Sequence, residues 1–213
     1  MVAAYVEIGA KRTFAAAVEW PGWCRSGKDE DQALTALAAY APRYAEVVAE
    51  AGMKFGLTPA TPFDVKERLP GSATTDFGAP GAIPALDRRP LAAKEAQRLC
   101  DLLAASWRVF DRVVDGAPAS LRKGPRGGGR DRDKIVSHVL EAENAYARKV
   151  GVRCPPPDPG DASAIAAHRE ALLAAVRSPP PDPGPKAWPM RYGVRRTVWH
   201  VLDHAWEIED RSD

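Results

Sequence analysis

The sequence is short of cysteine, of net charge and of long apolar runs, and each shortage excludes a class of protein. Its three cysteines, Cys24, Cys100 and Cys154, are an odd number without a CxxC pair. They fit free thiols in a reducing cytoplasm better than a disulfide framework. The net charge of +2 argues against a nucleic-acid or anionic-membrane partner. A run of about 18 apolar residues and a leader-type N-terminus are both missing, so we expect neither a membrane-spanning nor a secreted protein.

The remaining composition is that of an ordinary globular protein. The chain has 213 residues, of which 45% are hydrophobic and 27% are charged. A chain of this length can bury a substantial core, as one large domain or two small ones.

The first part of the chain alternates between strand signals and turn signals. Short runs with β-branched and aromatic residues cover Val2–Ile8 and Thr13–Trp20, and residues 9–12 between them predict a four-residue hairpin turn. A third short strand is expected at Cys24–Gly27, after the Trp-Pro-Gly-Trp break, and a fourth at Phe63–Leu69.

A helix is predicted between these strands, from Asp29 to Ala51. Alanine, leucine and valine recur there at helical spacing, Asp29 is a suitable N-cap, and Gly52 follows the last turn. Because proline lacks a backbone N–H, Pro42 should kink this helix or divide it in two.

This hairpin, the Trp-Pro-Gly turn and the alanine-rich helix resemble the small HicB-like fold. The resemblance is carried by residues 14–24 and by the helix from Asp29, and it predicts a HicB-like α/β domain over residues 1–70. In that family such domains often act as antitoxins that bind a toxin partner, usually with an attached DNA-binding segment, which does not follow here. The alternative role is a small sheet that packs on the rest of the chain or forms a homodimer contact.

The second part of the chain is predicted to be helical. Residues 71–90 are rich in proline, glycine and threonine and predict a linker or a covering loop. Four amphipathic segments then follow within residues 91–213, and together they indicate an antiparallel four-helix bundle. The expected fold class is therefore α+β. The four segments are residues 92–114, 131–150, 161–177 and 195–208.

The last of these segments contains a metal-ligand spacing. His200 and His204 are four residues apart, so on a helix they lie on the same side one turn apart. They flank an apolar stripe that includes Val198 and Val201. A third histidine, His138, flanks the apolar stripe of the second segment, and imidazoles from facing helices are a common way to build a metal site in a bundle.

The order of a long helix, a helix with one inward histidine and a last helix reading His-xxx-His resembles the DinB-like metal-binding four-helix family. The resemblance covers about residues 91–211, and it implies that His138, His200 and His204 hold a divalent metal, usually zinc or nickel. Members include transferases and isomerases that use a low-molecular-weight thiol, mycothiol or bacillithiol. The expected function is a metal-dependent thiol transferase or hydrolase acting on a small molecule. The competing hypothesis is a non-catalytic binding or regulatory protein whose bundle is a scaffold.

Three charged residues near these histidines have two interpretations each. Glu207 and Glu141 each follow a histidine by three positions and are candidates to orient it, or they are surface carboxylates, with Arg211 as a partner for Glu207. Arg196 lies one turn before His200 and is a candidate clamp for a carboxylate substrate or a thiol cofactor, although surface solvation is the commoner role. The fourth histidine, His168, matches no site and is expected to be solvated.

One basic segment, residues 122–134, contains several arginines and a run of three glycines before a helix start. Backbone amides at such a start can bind anions, but the Gly-Lys-Ser/Thr ending of a nucleotide-binding loop is missing. A flexible surface loop is the first interpretation and a lid over an anionic substrate the second. Nucleic-acid binding is disfavoured because no aromatic residues are interleaved.

Overall fold

A computed structural model describes residues 1–124, 128–179 and 186–212. Its backbone contacts divide the chain into an N-terminal unit, Met1–Pro90, and a C-terminal unit, Leu91–Asp213. The described residues of the first unit form a sheet with flanking helices, and those of the second form helices. The chain is therefore a mixed α+β protein, as predicted.

The N-terminal unit contains a four-stranded sheet, whose strands are β1 (Val2–Ile8), β2 (Thr13–Ala17), β3 (Cys24–Gly27) and β4 (Phe63–Pro70). The strand order is β3-β2-β1-β4. β1 and β2 are antiparallel with Ile8 opposite Thr13, which confirms the predicted hairpin and its turn. β4 returns parallel to β1, so the helical connection between β3 and β4 crosses from one edge of the sheet to the other.

The predicted helix after β3 is divided in two at its proline. α1 (Glu30–Ala39) is capped by the Asp29 side chain, which accepts a hydrogen bond from the Gln32 amide. α2 (Ala41–Glu50) has Pro42 in its first turn, where a missing N–H costs nothing because that position has no intrahelical acceptor. The interruption of the helix is thus a direct result of one residue.

The Trp-Pro-Gly-Trp turn positions an aromatic core for the N-terminal unit. Gly22 has a φ of 88°, a conformation that favours glycine, and Trp23 after it is fully buried. The Trp23 ring stacks on Tyr44 at 5.7 Å between centroids. Its indole N–H donates to the Leu37 carbonyl at 2.8 Å, and the Tyr44 hydroxyl donates to the Pro21 carbonyl at 2.7 Å. These bonds satisfy the polar atoms of the buried rings.

Residues 71–90, predicted to be a linker or covering loop, contain a short helix, α3 (Ala73–Phe77), and a 3-10 turn, Ala85–Arg88. Ser72 begins α3 with a capping box. The segment is fixed to β1 through Glu7, a fully buried carboxylate that accepts the backbone amides of Gly81 and Ala82 at 2.9 Å and the hydroxyl of Thr75. Part of this segment is therefore ordered by hydrogen bonds that the composition did not predict.

The C-terminal unit contains four long helices within its described residues, α4 (Ala93–Gly116), α5 (Arg132–Lys149), α6 (Ala162–Arg177) and α7 (Met190–Ser212). Three of them begin and end within two residues of the predicted bounds, whereas α7 begins five residues earlier than the predicted segment. α4 packs against both α6 and α7, and α5 packs against α7.

α7 is buried on all sides through residues 192–202, so the prediction of a single buried stripe was too narrow. The stripe itself is confirmed, since Val198 and Val201 are fully buried, but the polar residues between them are buried too. Gly193 lies against Val150 so closely that a Cβ at this position would overlap the valine side chain. The polar residues buried on this helix include Arg196 and His200, which belong to the candidate site.

Candidate metal centre

Three of the four histidines form one cluster in the C-terminal unit. His138 comes from α5, and His200 and His204 come from successive turns of α7. One ring nitrogen from each lies within 4.8 Å of the other two, and the ring centroids are separated by 5.0, 5.1 and 4.6 Å. The i, i+4 spacing on α7 and the packing of α5 on α7 bring the three rings together.

The separation of two of these nitrogens fits metal coordination. Nε2 of His138 and Nε2 of His200 are 3.3 Å apart. Two nitrogens bound to zinc at about 2.0–2.1 Å in a tetrahedron are separated by about 3.3 Å. A hydrogen bond between two neutral rings has a similar length, so the third imidazole distinguishes this arrangement from an ordinary histidine pair.

Glu207 fixes the orientation of His204. Its Oε2 lies 2.7 Å from Nδ1 of His204, and its Oε1 accepts a hydrogen bond from Arg211 at 2.5 Å. A proton on Nδ1 leaves Nε2 of His204 with its lone pair free for a ligand, which is the usual carboxylate–histidine arrangement behind a metal. Both interpretations of Glu207 therefore apply, because the same carboxylate contacts His204 and pairs with Arg211.

Burial favours the neutral form of two imidazoles of the cluster, His138 and His200. Burial, followed by the proximity of His204 and then His138, lowers the pKa of His200 to about 2. Burial and then His204 also lower the pKa of His138. The hydrogen bond from His204 lowers the pKa of Glu207, so this group is a carboxylate at neutral pH. Neutral imidazole is the form that binds metal.

Arg196 is buried, which contradicts the expectation of surface solvation. It is 8% exposed, and its guanidinium carbon lies 4.5 Å from the centroid of the Trp199 ring and 5.3 Å from that of Tyr146. Both rings also contact His200, at 5.7 Å for Tyr146 and 6.0 Å for Trp199. Arg196 therefore shares its ring contacts with the histidine cluster.

For Glu141 the structure favours the second of its two interpretations, a surface carboxylate, and for His168 it differs from the expectation. Glu141 is exposed, and no hydrogen bond between it and His138 occurs in the described part of the chain, so the side chain does not orient that ring. His168 is buried rather than solvated, at 4% exposed. Its Nε2 lies 3.4 Å from the amide nitrogen of Asn144, which places it outside the three-histidine cluster.

A buried carboxylate, Glu143, was not predicted from the sequence. It is 1% exposed, and the Trp107 indole donates to its Oε1 at 2.5 Å, while its Oε2 has no hydrogen-bond partner among the described residues. Burial raises the pKa of Glu143 to about 7, against the opposing effects of Arg169 and of the Trp107 hydrogen bond. The spacing of four residues from the buried Val139 was the available signal, since it places Glu143 on the same helix face.

The basic segment 122–134 is only partly within the described residues, because 125–127 lie outside them. Its described part is tied to the last turn of α7. The Arg122 amide donates to the Arg211 carbonyl at 2.9 Å, and Arg211 donates to the carbonyl of Arg122 at 2.8 Å and to that of Arg130 at 2.8 Å. These bonds connect the segment to the helix that carries His204 and Glu207.

Comparisons with known proteins assign no family. No protein-family model matches the chain, and neither the curated proteins nor the solved structures include a significant match. Among the described residues, no helix is both long and apolar enough to cross a membrane, and all three cysteines are free. The function of the chain is therefore inferred from the geometry of the site.

Proposed function

We propose that the C-terminal unit is a DinB-like four-helix bundle that holds one divalent metal ion, zinc or nickel, between His138, His200 and His204. The observation that carries this proposal is the meeting of three imidazole nitrogens from two helices within 4.8 Å. A chance pair of surface histidines does not bury its rings. Here His200 is 7% exposed and the His204 side chain is 12% exposed.

The donor set agrees with the type of metal. Imidazole nitrogen suits zinc and nickel, whereas magnesium and calcium prefer oxygen ligands. Three protein ligands fill fewer positions than zinc or nickel requires, and this is the pattern of catalytic rather than structural sites. His138 is only half-buried, so the cluster is not fully enclosed on that side.

We infer a metal-dependent enzyme acting on a small molecule, by transfer of a low-molecular-weight thiol or by hydrolysis. A metal ion at this position would supply Lewis acidity and lower the pKa of a water or thiol that it coordinates. The chain's own contribution is orientation. Glu207 holds the proton of His204 on Nδ1, Arg211 holds Glu207, and the packing of α5 on α7 fixes the distance from His138 to His200.

For the N-terminal unit we propose a HicB-like fold. Its support is the β3-β2-β1-β4 order together with the packing of α1 on β2 and β3. This unit motivates the alternative function, a binding or regulatory protein in which the helical unit is only a scaffold. The two functions differ in whether the metal has an exchangeable coordination position.

Metal stoichiometry tests the first step. Tag-free protein is stripped with a chelator, dialysed against zinc or nickel, and analysed for metal per chain. We expect one equivalent in the wild type and its loss in His138→Ala and His204→Ala. His168→Gln is the matched control, because it removes a histidine from the same unit but outside the cluster, and it should keep the metal. A wild type without stoichiometric metal would refute the proposal.

Cobalt substitution tests the second step. Cobalt(II) in place of zinc reports its coordination through its visible spectrum. We expect this spectrum to change when azide or a small thiol is added, because an open position accepts an external ligand. A spectrum that is unaffected by both additions, with metal binding that only raises Tm, would favour the scaffold function over the enzyme.

A further inference from the structure

A buried guanidinium, that of Arg196, lies beside the histidine cluster and forms no ion pair with the described residues. Arg196 precedes His200 by one helical turn and is 8% exposed. Its Nη1 atom has no hydrogen-bond partner among the described residues. The side chains described around it are Tyr146, Trp199 and His200, none of which carries a negative charge at neutral pH.

This burial is costly unless a ligand offsets it. Moving a cation out of water is unfavourable, and the cost is fully recovered only when an opposite charge and further hydrogen bonds are present. The two ring faces recover part of this cost through cation–π contacts. The Tyr146 hydroxyl accepts one hydrogen bond from Arg196, but a guanidinium has five N–H donors. The buried Nη1 atom, which has no partner among the described residues, needs an acceptor.

The surrounding rings indicate what kind of molecule would supply that acceptor. Tyr146 contacts Trp188 at 5.4 Å between centroids, and both rings are only half-buried. Trp188 in turn contacts Tyr192 at 4.9 Å. Half-exposed rings beside one buried charged donor are typical of sites that bind an apolar body and orient it through a single polar group.

We propose that Arg196 binds the carboxylate of a small organic acid whose apolar body lies against Tyr146 and Trp188. The planar guanidinium fork matches a carboxylate with two parallel hydrogen bonds. This inference rests on the proposed metal centre only for the position of the bound acid relative to the metal. Tyr146 and Trp199 both contact His200, so an acid bound there would lie next to a metal held by His200. The contact with Arg196 itself does not require the metal.

Benzoate is the probe for this site and benzamide is its neutral isostere. Binding of both is measured by calorimetry with zinc-loaded and with chelator-stripped full-length protein. We expect benzoate to bind at least about tenfold more tightly than benzamide, as charge-assisted hydrogen bonds contribute that much. The preference should vanish in Arg196→Met and persist in Arg148→Met, which removes an exposed arginine from the same unit.

The variants separate this inference from the metal proposal. If benzoate binding persists in stripped protein and in His204→Ala but is lost in Arg196→Met, the arginine site stands whether or not metal binds. If the preference for benzoate survives in Arg196→Met, the arginine is not the anchor and the inference fails. Equal binding of benzoate and benzamide by the wild type also overturns it. Phenyl phosphate is a second probe. If it binds more tightly than benzoate and does not bind to Arg196→Met, the proposal of a carboxylate ligand is wrong and the ligand of Arg196 is a phosphate.

Stability distinguishes a ligand-binding arginine from a structural one. An arginine buried for a ligand destabilises the empty protein, so Arg196→Met should keep or raise Tm, because apolar replacement of a buried charge is often neutral or stabilising. A clear fall in Tm would show that the guanidinium stabilises the fold, and this result would contradict the inference. The same measurement establishes that the variant is folded in the binding assay.

Discussion

Replacing Glu143 with glutamine should remove a pH-dependent cost of folding. The carboxylate is 1% exposed, and one of its oxygens has no partner among the described residues. A carboxamide has nearly the same shape and keeps an oxygen for the Trp107 indole, which is the donor to Glu143 in the wild type. The substitution therefore removes the charge and leaves the packing nearly unchanged.

The sign and size of the effect follow from the raised pKa. The unfolded chain loses the Glu143 proton near its ordinary pKa of 4.5, whereas the folded protein keeps it until about 7. Because the folded state binds the proton more tightly, the wild type loses stability as pH rises through this window and does not regain it above. The pKa difference of about 2.5 corresponds to about 3 kcal/mol in total, of which about 2.5 kcal/mol is lost between pH 5 and pH 8.

Urea unfolding at pH 5 and pH 8, followed by far-ultraviolet circular dichroism with chelator present, measures this difference. The free energy of unfolding of Glu143→Gln minus that of the wild type should be about 2.5 kcal/mol larger at pH 8 than at pH 5. Glu141→Gln is the matched control, because it makes the same charge change at an exposed position of α5, and its curve should follow the wild type. Parallel pH dependence of the wild type and Glu143→Gln would refute the assignment of a raised pKa to this carboxyl.

Two other substitutions each test the packing inside one unit, Glu7→Gln in the N-terminal unit and Gly193→Ala in the C-terminal unit. Glu7→Gln replaces an acceptor of the Gly81 and Ala82 amides, so hydrogen exchange at these two amides should accelerate, with a stability loss of about 1–3 kcal/mol; unchanged exchange would show that Glu7 does not hold this segment. Gly193→Ala introduces a methyl group that overlaps Val150 and should lower Tm. In a Val150→Ala background the same change should instead stabilise α7 by up to about 1 kcal/mol through helix propensity, and a loss in both backgrounds would contradict this account.

The N-terminal unit was predictable where a single residue type decides the local backbone. Pro42 divides the helix because its ring removes a donor, wherever the helix lies in the fold. Gly22 permits the turn before β3 for a similarly local reason. By contrast, the anchoring of residues 73–82 on Glu7 joins positions about 70 residues apart, and composition contains no information about such a pair.

The histidine cluster was accessible from helical spacing, but its surroundings were not. Spacing places His200 and His204 on one side of α7, and this holds for any packing. The burial of Arg196 and His168 depends instead on how many neighbours surround each helix. A stripe of apolar residues predicts the face through which a helix makes its main contact, but it does not predict a second or third buried face. For a helix that is packed on all sides, the sequence pattern therefore wrongly predicts that its polar residues lie at the surface.

The two proposals for the C-terminal unit support each other through charge. The carboxylate that contacts the cluster through His204 is Glu207, and it is already paired with Arg211. A divalent ion in the cluster beside Arg196 would leave the site with excess positive charge in a partly buried environment, where such an excess is poorly screened. An anionic ligand between such a metal ion and the guanidinium would offset this excess. Binding of the metal and of the anion must then be coupled, each raising the affinity for the other by the same factor.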